Sequence, residues 1–395
     1  MAMAASEHVS ALPGAETCLD DPSLQTPCLL LDEERLRANL AGMRTHLEGL
    51  GVALRPHLKT AKSIDVARLA VGGATGPATV STLREAEYFA ENGLRDLLYA
   101  VGIAPQKLDR VGAIRRRWNV DLAVVLDSVE QAEAVAAWSV EARHPLPALI
   151  EVDADGHRSG VKPDDAAALL AIGRALGQGA ELRGVLLHAG DSYGLSDPEA
   201  LAAATEEERV AAVTAATLLR EAGLPCPVVS VGSTPTARYA RDLSGVTEVR
   251  AGVFMFGDLF QAGVGSNAVD DIALSVLATV IGHRRDKGWI ITDTGWMAMS
   301  RDRGTARQAV DQGYGLVCDG AGHPFPDLIV RDANQEHGIL ALRPGSSARL
   351  PDLPIGARVR ILPNHACATA AQYDAYHVLD AGGRVAALWP RIRGW

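Results

Sequence analysis

No run of about 18 apolar residues interrupts this chain, so a membrane-spanning helix is not expected. Nor is there a basic stripe: 38 Lys and Arg stand against 48 Asp and Glu, a net charge of −10 spread along the sequence. Without clustered cations to neutralise phosphates, nucleic acid is not an expected partner. The one cluster, Arg115-Arg-Arg-Trp118, reads as the solvated end of a helix. The first 25 residues lack a basic segment followed by an apolar one, so no signal peptide is expected. The five cysteines, at 18, 28, 226, 318 and 367, are scattered and odd in number. That usage suits reduced cytoplasmic thiols better than a disulfide framework. No GxGxxG follows an early strand, which argues against a doubly wound dinucleotide-binding sheet. Internal repeats and low-complexity tracts are absent as well.

What is present is a chain of 395 residues, 48% hydrophobic and 22% charged, enough for a sizeable core and two domains. Residues 1–25 are polar and aperiodic and read as a mobile N-terminal arm. Thr26 to Leu31 reads as a strand. Asp32 can cap the helix that follows, where Leu36, Leu40, Met43, Leu47 and Leu50 recur at helical spacing. Strand-like runs follow at 52–58, 77–81, 96–101, 121–127, 147–153, 182–188, 227–232 and 246–251. Helical runs separate most of them, at 63–71, 83–92, 105–118, 128–142, 163–177 and 198–222, while 234–244 is less clearly helical. Strands alternating with crossover helices in this number predict an α/β fold, a (β/α)8 barrel over 26–265 whose first strand is free to join the second domain. Beyond 265 strands recur without long helices, at 272–282, 288–293, 328–332, 337–343, 357–361, 376–380 and 383–389. This predicts a second, mostly antiparallel β domain over 266–395.

Chemistry-bearing residues collect where barrel strands end. The first run leads into Arg55-Pro-His57-Leu-Lys59-Thr-Ala-Lys62, just before a helix. A lysine there is suited to Schiff-base chemistry if partly buried among cations; the bland alternative is a surface lysine in a loop. Later strands lead into Glu151-Val-Asp-Ala-Asp-Gly-His-Arg158-Ser-Gly, His188-Ala-Gly-Asp-Ser-Tyr193-Gly, Gly232-Ser233-Thr234-Pro-Thr and Arg250-Ala-Gly252-Val253. In a barrel these ends converge on one mouth. The Gly232–Thr236 turn, with N–H groups of Gly252 and Val253 beside it, suits a phosphate. Together with Lys59 this points to pyridoxal phosphate. Pro-Asn-His365-Ala-Cys367 places an imidazole and a thiolate two apart, on one face if extended. A thiolate favours zinc over manganese or magnesium; the alternative is an isolated histidine and a buried thiol.

As a set, these segments resemble the D-serine dehydratase and D-threonine aldolase family of alanine racemase-like (type III) pyridoxal phosphate enzymes. The resemblance runs in one order from about Thr26 to the C-terminus. It implies that Lys59 carries the cofactor. Arg158 then approaches the cofactor's phenolic oxygen, His188 lies near the pyridine ring, and Tyr193 joins the cofactor contacts. Gly232, Ser233, Thr234, Gly252 and Val253 bind the phosphate, and Arg250 faces the pyridine nitrogen. His365 and Cys367 are the implied metal pair, with Zn2+ expected and Mn2+ or Mg2+ as the other possibilities. A homodimer whose subunits complete each other's sites is also implied.

The implied reaction begins with the Lys59 amine removing the α-proton of a D-3-hydroxy amino acid. Lys62, Arg55 and Arg158 are expected to help lower its pKa, and His57 is the second catalytic candidate. A metal on the β-hydroxyl makes it a better leaving group. D-serine, yielding pyruvate and ammonia, is the first choice of substrate. The alternatives are a D-threonine-type aldolase, in which His57, His188 or His337 is the base, then a racemase, and then a non-catalytic cofactor carrier.

Overall fold

The computed structural model describes residues 17–73, 75–156 and 158–395. Two units emerge: residues up to Leu36 with Ile272–Pro390, and Arg37–Asp271 with Arg391–Trp395. The chain runs β1 (Cys28–Asp32), α1 (Glu33–Gly49), β2 (Ala53–Pro56), α2 (Ile64–Ala70), β3 (Ala78–Val80), α3 (Leu83–Glu91), β4 (Asp96–Gly102), α4 (Leu108–Trp118), β5 (Asp121–Leu126), α5 (Val129–Ala142), β6 (Pro147–Val152), α6 (Ala166–Leu176), β7 (Glu181–Leu187), α7 (Pro198–Glu221), β8 (Val228–Val231), α8 (Thr234–Tyr239), β9 (Glu248–Ala251) and α9 (Leu259–Val264). Then follow β10 (Leu274–Arg284), β11 (Trp289–Thr292), α10 (Trp296–Met299), β12 (Gly315–Cys318), β13 (Pro324–Ala333), β14 (Gly338–Leu342), β15 (Arg358–Pro363), α11 (Ala366–Ala370), β16 (Ala375–Leu379) and β17 (Val385–Pro390). Among the described residues no helix is long and apolar enough to cross a membrane.

The larger unit is a nearly closed parallel barrel with strand order β2-β9-β8-β7-β6-β5-β4-β3. Its seam closes on the bridge His57–Thr79, reinforced by Leu58 N–H donating to Thr79 O at 2.8 Å. Capping explains where the helices begin. The side chains of Thr82, Ser128, Asp165, Asp197, Ser233 and Asp258 each accept an N–H of the first helical turn. Strand registers place two kinds of residue on the same face of the sheet. Leu98, Ala123, Val125, Leu149 and Leu186 form an apolar cluster there. Across β8, β9 and β2 the same face is charged: Arg55 pairs with Glu248 at 2.8 Å and Asp96 at 2.7 Å, and Ser230 bridges Glu248 and Arg250.

The smaller unit is one sheet, β11-β14-β13-β12-β15-β10-β1-β16-β17, antiparallel except for the β1–β16 pair. β1, the candidate first barrel strand, lies between β10 and β16 here. Strand β12 was not foreseen; four residues including a glycine and a cysteine show no alternation by themselves. The expected mobile arm needs correction over residues 17–25. Thr17 exchanges backbone hydrogen bonds with Val385, and Leu19 and Leu24 are buried against Leu30, Leu277 and Leu379. Apolar burial outweighs the polar look of this stretch. Residues 1–16 lie outside the described residues. The domain limits shift too: the residues up to Asp271 and the tail Arg391–Trp395 group with the barrel.

Candidate active site

The turn after β2 is held from several sides. Lys62 adopts a left-handed conformation (φ 47°), its N–H donating to Leu58 O and its carbonyl accepting from Ile392. Arg391, itself buried, donates to the carbonyls of Thr60 at 2.8 Å and Ala61 at 3.2 Å, so the C-terminal tail clamps the Lys59 turn. Lys62 Nζ lies 3.0 Å from Oε1 of the fully buried Glu85, whose Oε2 accepts the Ser81 N–H at 2.9 Å. Arg55 is spent on Asp96 and Glu248, which hold its guanidinium charged against the cost of burial. The expected use of Lys62 and Arg55 to depress the Lys59 amine is therefore corrected: both cations are neutralised by carboxylates. Lys59 itself is exposed.

His57 sits beside it. The Lys59 N–H approaches His57 Nδ1 at 3.4 Å, and Nε2 lies 3.3 Å from Ser81 Oγ. An accepting Nδ1 leaves the proton on Nε2, which donates to Ser81. Burial, with Lys59, Arg250 and His188 nearby, holds His57 well below its ordinary pKa and hence neutral. His188 is the same kind of group. Its Nδ1–H donates to Gly232 O at 2.8 Å, and burial, then the positive charge of Arg158, push its pKa down to about 3. Tyr193, on a 3-10 turn after β7, has its ring centroid 6.1 Å from that of His188. Arg158 is exposed on the loop after β6.

Gly232 and Gly252 have a packing reason that precedes any ligand. A Cβ on Gly232 would fall 2.2 Å from Arg250 O, and one on Gly252 would fall 2.9 Å from His57 O. Ser233 is inward-committed: its hydroxyl and N–H form a capping box with Thr236, and its Oγ contacts Ser192. The Thr234 hydroxyl accepts the Phe254 N–H. The buried Arg250 donates to Ser230 Oγ at 2.6 Å and Leu187 O at 2.7 Å, and burial pulls its pKa down to about 10. Val253 is buried at the start of the turn after β9. Sequence reading missed Glu208. Fully inside α7, its Oε1 accepts N–H groups from both Ala189 and Gly232, tying the His188 and Gly232 turns together. A signal existed: Glu208 shares a helical face with Leu201, Thr205 and Ala212.

These residues suit pyridoxal phosphate by donor chemistry. Lys59 offers a primary amine for an aldehyde, and at the start of α8 the Thr234 N–H has no intrahelical acceptor and suits a phosphate. Pro235 has no N–H, and those of Ser233 and Thr236 are engaged in the capping box. In the other unit the His-x-Cys segment is not extended. β15 ends at Pro363, His365 is the N-cap of α11, and Cys367 lies in its first turn. His365 Nδ1 is 2.7 Å from Asp302 Oδ2. Among the described residues no group of three or more His, Cys, Asp and Glu is arranged around a metal position. The fit there rests on two donors, an imidazole and a thiolate, which suit a borderline-soft divalent ion.

Comparison with known proteins adds to this geometry. Residues 31–259 match the family "Alanine racemase, N-terminal domain", and 273–379 match a serine dehydratase domain. The chain is 54% identical over 376 residues to D-threo-3-hydroxyaspartate dehydratase from Delftia sp. (strain HT23), covering 94% of this chain and 98% of that one. The solved structure of that enzyme superposes with a TM-score of 0.92. Solved variants of it replace a histidine and, two positions later, a cysteine, the latter described as in the metal-free form. D-serine dehydratase from Dictyostelium discoideum is 27% identical, with 95% and 98% covered. The structure of D-threonine aldolase from Filomicrobium marinum has a TM-score of 0.79 at 25% identity, with 95% and 96% covered.

Proposed function

Because the chain belongs to the alanine racemase-like family of pyridoxal phosphate enzymes, in its serine dehydratase branch, we propose that it dehydrates a D-3-hydroxy amino acid, with D-threo-3-hydroxyaspartate as substrate. The chain is a pyridoxal phosphate-dependent lyase. Sequence alone put D-serine first. The 54% relative acts on hydroxyaspartate by name, against 27% for a D-serine dehydratase, and this supports the change. Loss of the β-hydroxyl as water leaves an enamine, which hydrolyses to a 2-oxo acid and ammonia. Hydroxyaspartate thus gives oxaloacetate, and D-serine gives pyruvate.

The observation that carries the reading is the division of labour within Arg55–Lys62. Lys62 is ion-paired to buried Glu85, while Lys59 stands exposed beside neutral His57. Lys59 would hold the cofactor, with Thr234, Gly252 and Val253 toward its phosphate and Arg158, His188, Tyr193 and Arg250 around its ring. Bound pyridoxal phosphate supplies an electron sink for the charge left at Cα. A metal at His365 and Cys367, zinc by the softness of the thiolate, with Mn2+ or Mg2+ as the alternatives, supplies Lewis acidity toward the β-hydroxyl. Lys59 Nζ takes the α-proton. His57 accepts the Lys59 N–H and so fixes the lysine's backbone, while Glu208 locks the His188 and Gly232 turns in place. The proposed active form is a homodimer, as the resemblance implies.

The test is to incubate the holoenzyme with D-threo-3-hydroxyaspartate, D-serine and D-threonine and to identify the carbon products. Oxaloacetate and ammonia, formed fastest from hydroxyaspartate, support the reading. Pyruvate from D-serine as the faster reaction would restore the first sequence choice. Glycine with glyoxylate or acetaldehyde would overturn dehydration in favour of retro-aldol cleavage, and L-serine from D-serine would point to racemisation.

A further inference from the structure

Asp302 lies in the loop after α10, 63 positions before His365 in sequence, and touches it in space. Both of its carboxylate oxygens are committed. Oδ2 is 2.7 Å from His365 Nδ1, and Oδ1 accepts the Gly304 N–H at 2.8 Å. A carboxylate can only accept, so Nδ1 carries a proton, and in the neutral imidazole the lone pair is then on Nε2. The loop is fastened from the histidine's own segment. Buried Asn364 donates from Nδ2 to Asp302 O at 3.1 Å and to Gly313 O at 2.7 Å, and its Oδ1 accepts the Thr305 hydroxyl at 3.1 Å. The residue before His365 thus grips the main chain of the residue that grips its ring.

We propose that Asp302 is a positioning residue for the metal pair: it fixes the His365 ring and tautomer so that Nε2 is the nitrogen offered to a divalent cation. This rests on the reading of His365 and Cys367 as metal ligands. Metal-binding imidazoles characteristically donate their second N–H to a carboxylate, which sets ring orientation and raises ligand basicity. With one oxygen on His365 and the other on Gly304, Asp302 is turned toward its neighbours and acts through the histidine. No spacing rule links a loop aspartate to a histidine in another segment, so this pairing is not legible in the sequence.

The test titrates metal-stripped, cofactor-loaded protein with Co2+ and follows the thiolate-to-cobalt charge-transfer band, alongside Zn2+ titration against a chromophoric chelator. Wild type, Asp302→Ala, Asp302→Glu and His365→Ala are compared, with thermal unfolding and the cofactor chromophore as controls for folding. Expected is a band in wild type that in Asp302→Ala needs about 10–100-fold more metal, with the same saturated spectrum and partial recovery in Asp302→Glu. If Asp302→Ala titrates like wild type while His365→Ala fails to bind, Asp302 has no positioning role. If Asp302→Ala loses binding as completely as His365→Ala and Asp302→Glu alters the saturated spectrum, Asp302 is a ligand and the proposal is overturned. Absence of the band in wild type would remove the metal-pair reading itself, and this proposal with it.

Discussion

Lys62 Nζ stands 3.0 Å from Glu85 Oε1, with the carboxylate fully buried and its second oxygen on the Ser81 N–H. Ser81 in turn is hydrogen-bonded through Oγ to His57 Nε2, and His57 Nδ1 faces the Lys59 N–H. One lysine of the motif therefore anchors a network that ends on the other. The two amines, three residues apart in sequence, have opposite electrostatic situations, and this sets the first two predictions.

Borohydride reduction of the cofactor-loaded enzyme should place a pyridoxyl group on Lys59. Lys59→Ala should lose the label and, from loss of the base alone, about 10²–10⁴-fold in turnover. Peptide mapping reads the outcome directly; label on Lys62 would refute the assignment.

Lys62→Met should act on stability first. It leaves a buried carboxylate without its cation, which costs about 3 kcal/mol or more. Urea unfolding should show this loss, with the cofactor label still on Lys59. Adding Glu85→Gln should recover part of it, since removing both charges of a coupled pair is not additive. A single variant as stable as wild type would mean that the pair contributes nothing.

His188 predicts a pH dependence. Its native pKa is pushed down to about 3, from an ordinary 6.5. Below 6.5 the unfolded chain binds a proton that the native chain excludes, so stability is full above that pH and falls as pH drops toward 3. His57 is displaced in the same direction and adds to the slope. Urea midpoints measured from neutral pH downward should fall less steeply in His188→Asn. An identical slope would show that His188 does not remain neutral in the native state.

Chelation should stop turnover while the cofactor chromophore persists, because the metal is assigned to the substrate's hydroxyl. Cys367→Asp should weaken the preference for zinc and favour harder ions such as Mn2+ or Mg2+. An activity profile across metals that matches wild type would mean that the thiolate is no ligand.

Arg391→Ala should loosen the turn that carries Lys59. Two carbonyls lose a charged donor, at about 1.5–3 kcal/mol per hydrogen bond in the upper range for such bonds. Hydrogen exchange should speed up at Lys62 and Ile392, and cofactor affinity should drop. Unchanged exchange there would mean that the tail does not clamp the turn.

Some of this was legible beforehand. Barrel strands such as Asp121–Leu126 and Pro147–Val152 are short apolar runs between capped helices, and both signals are local. The Thr82-x-x-Glu85 spacing was a helix-start signal, although not one that disclosed the ion pair to Lys62. Glu208 could have been found as a carboxylate on an apolar helix face. β12 could not, because its pairing is supplied by β13 and β15.

The sequence by itself determined the order of elements, the strand-end placement of His57, Lys59, His188, Gly232 and Gly252, and the family to which they point. Periodicity, capping and turn chemistry act over a few residues and can be read without coordinates. Only the tertiary structure decided that Lys62 and Arg55 are neutralised, that Arg391 clamps the Lys59 turn and that Asp302 holds His365. Each of those depends on charges or hydrogen-bond partners 23 to 331 positions away. Such pairings are fixed by how strands and loops close in space, and no local pattern carries them.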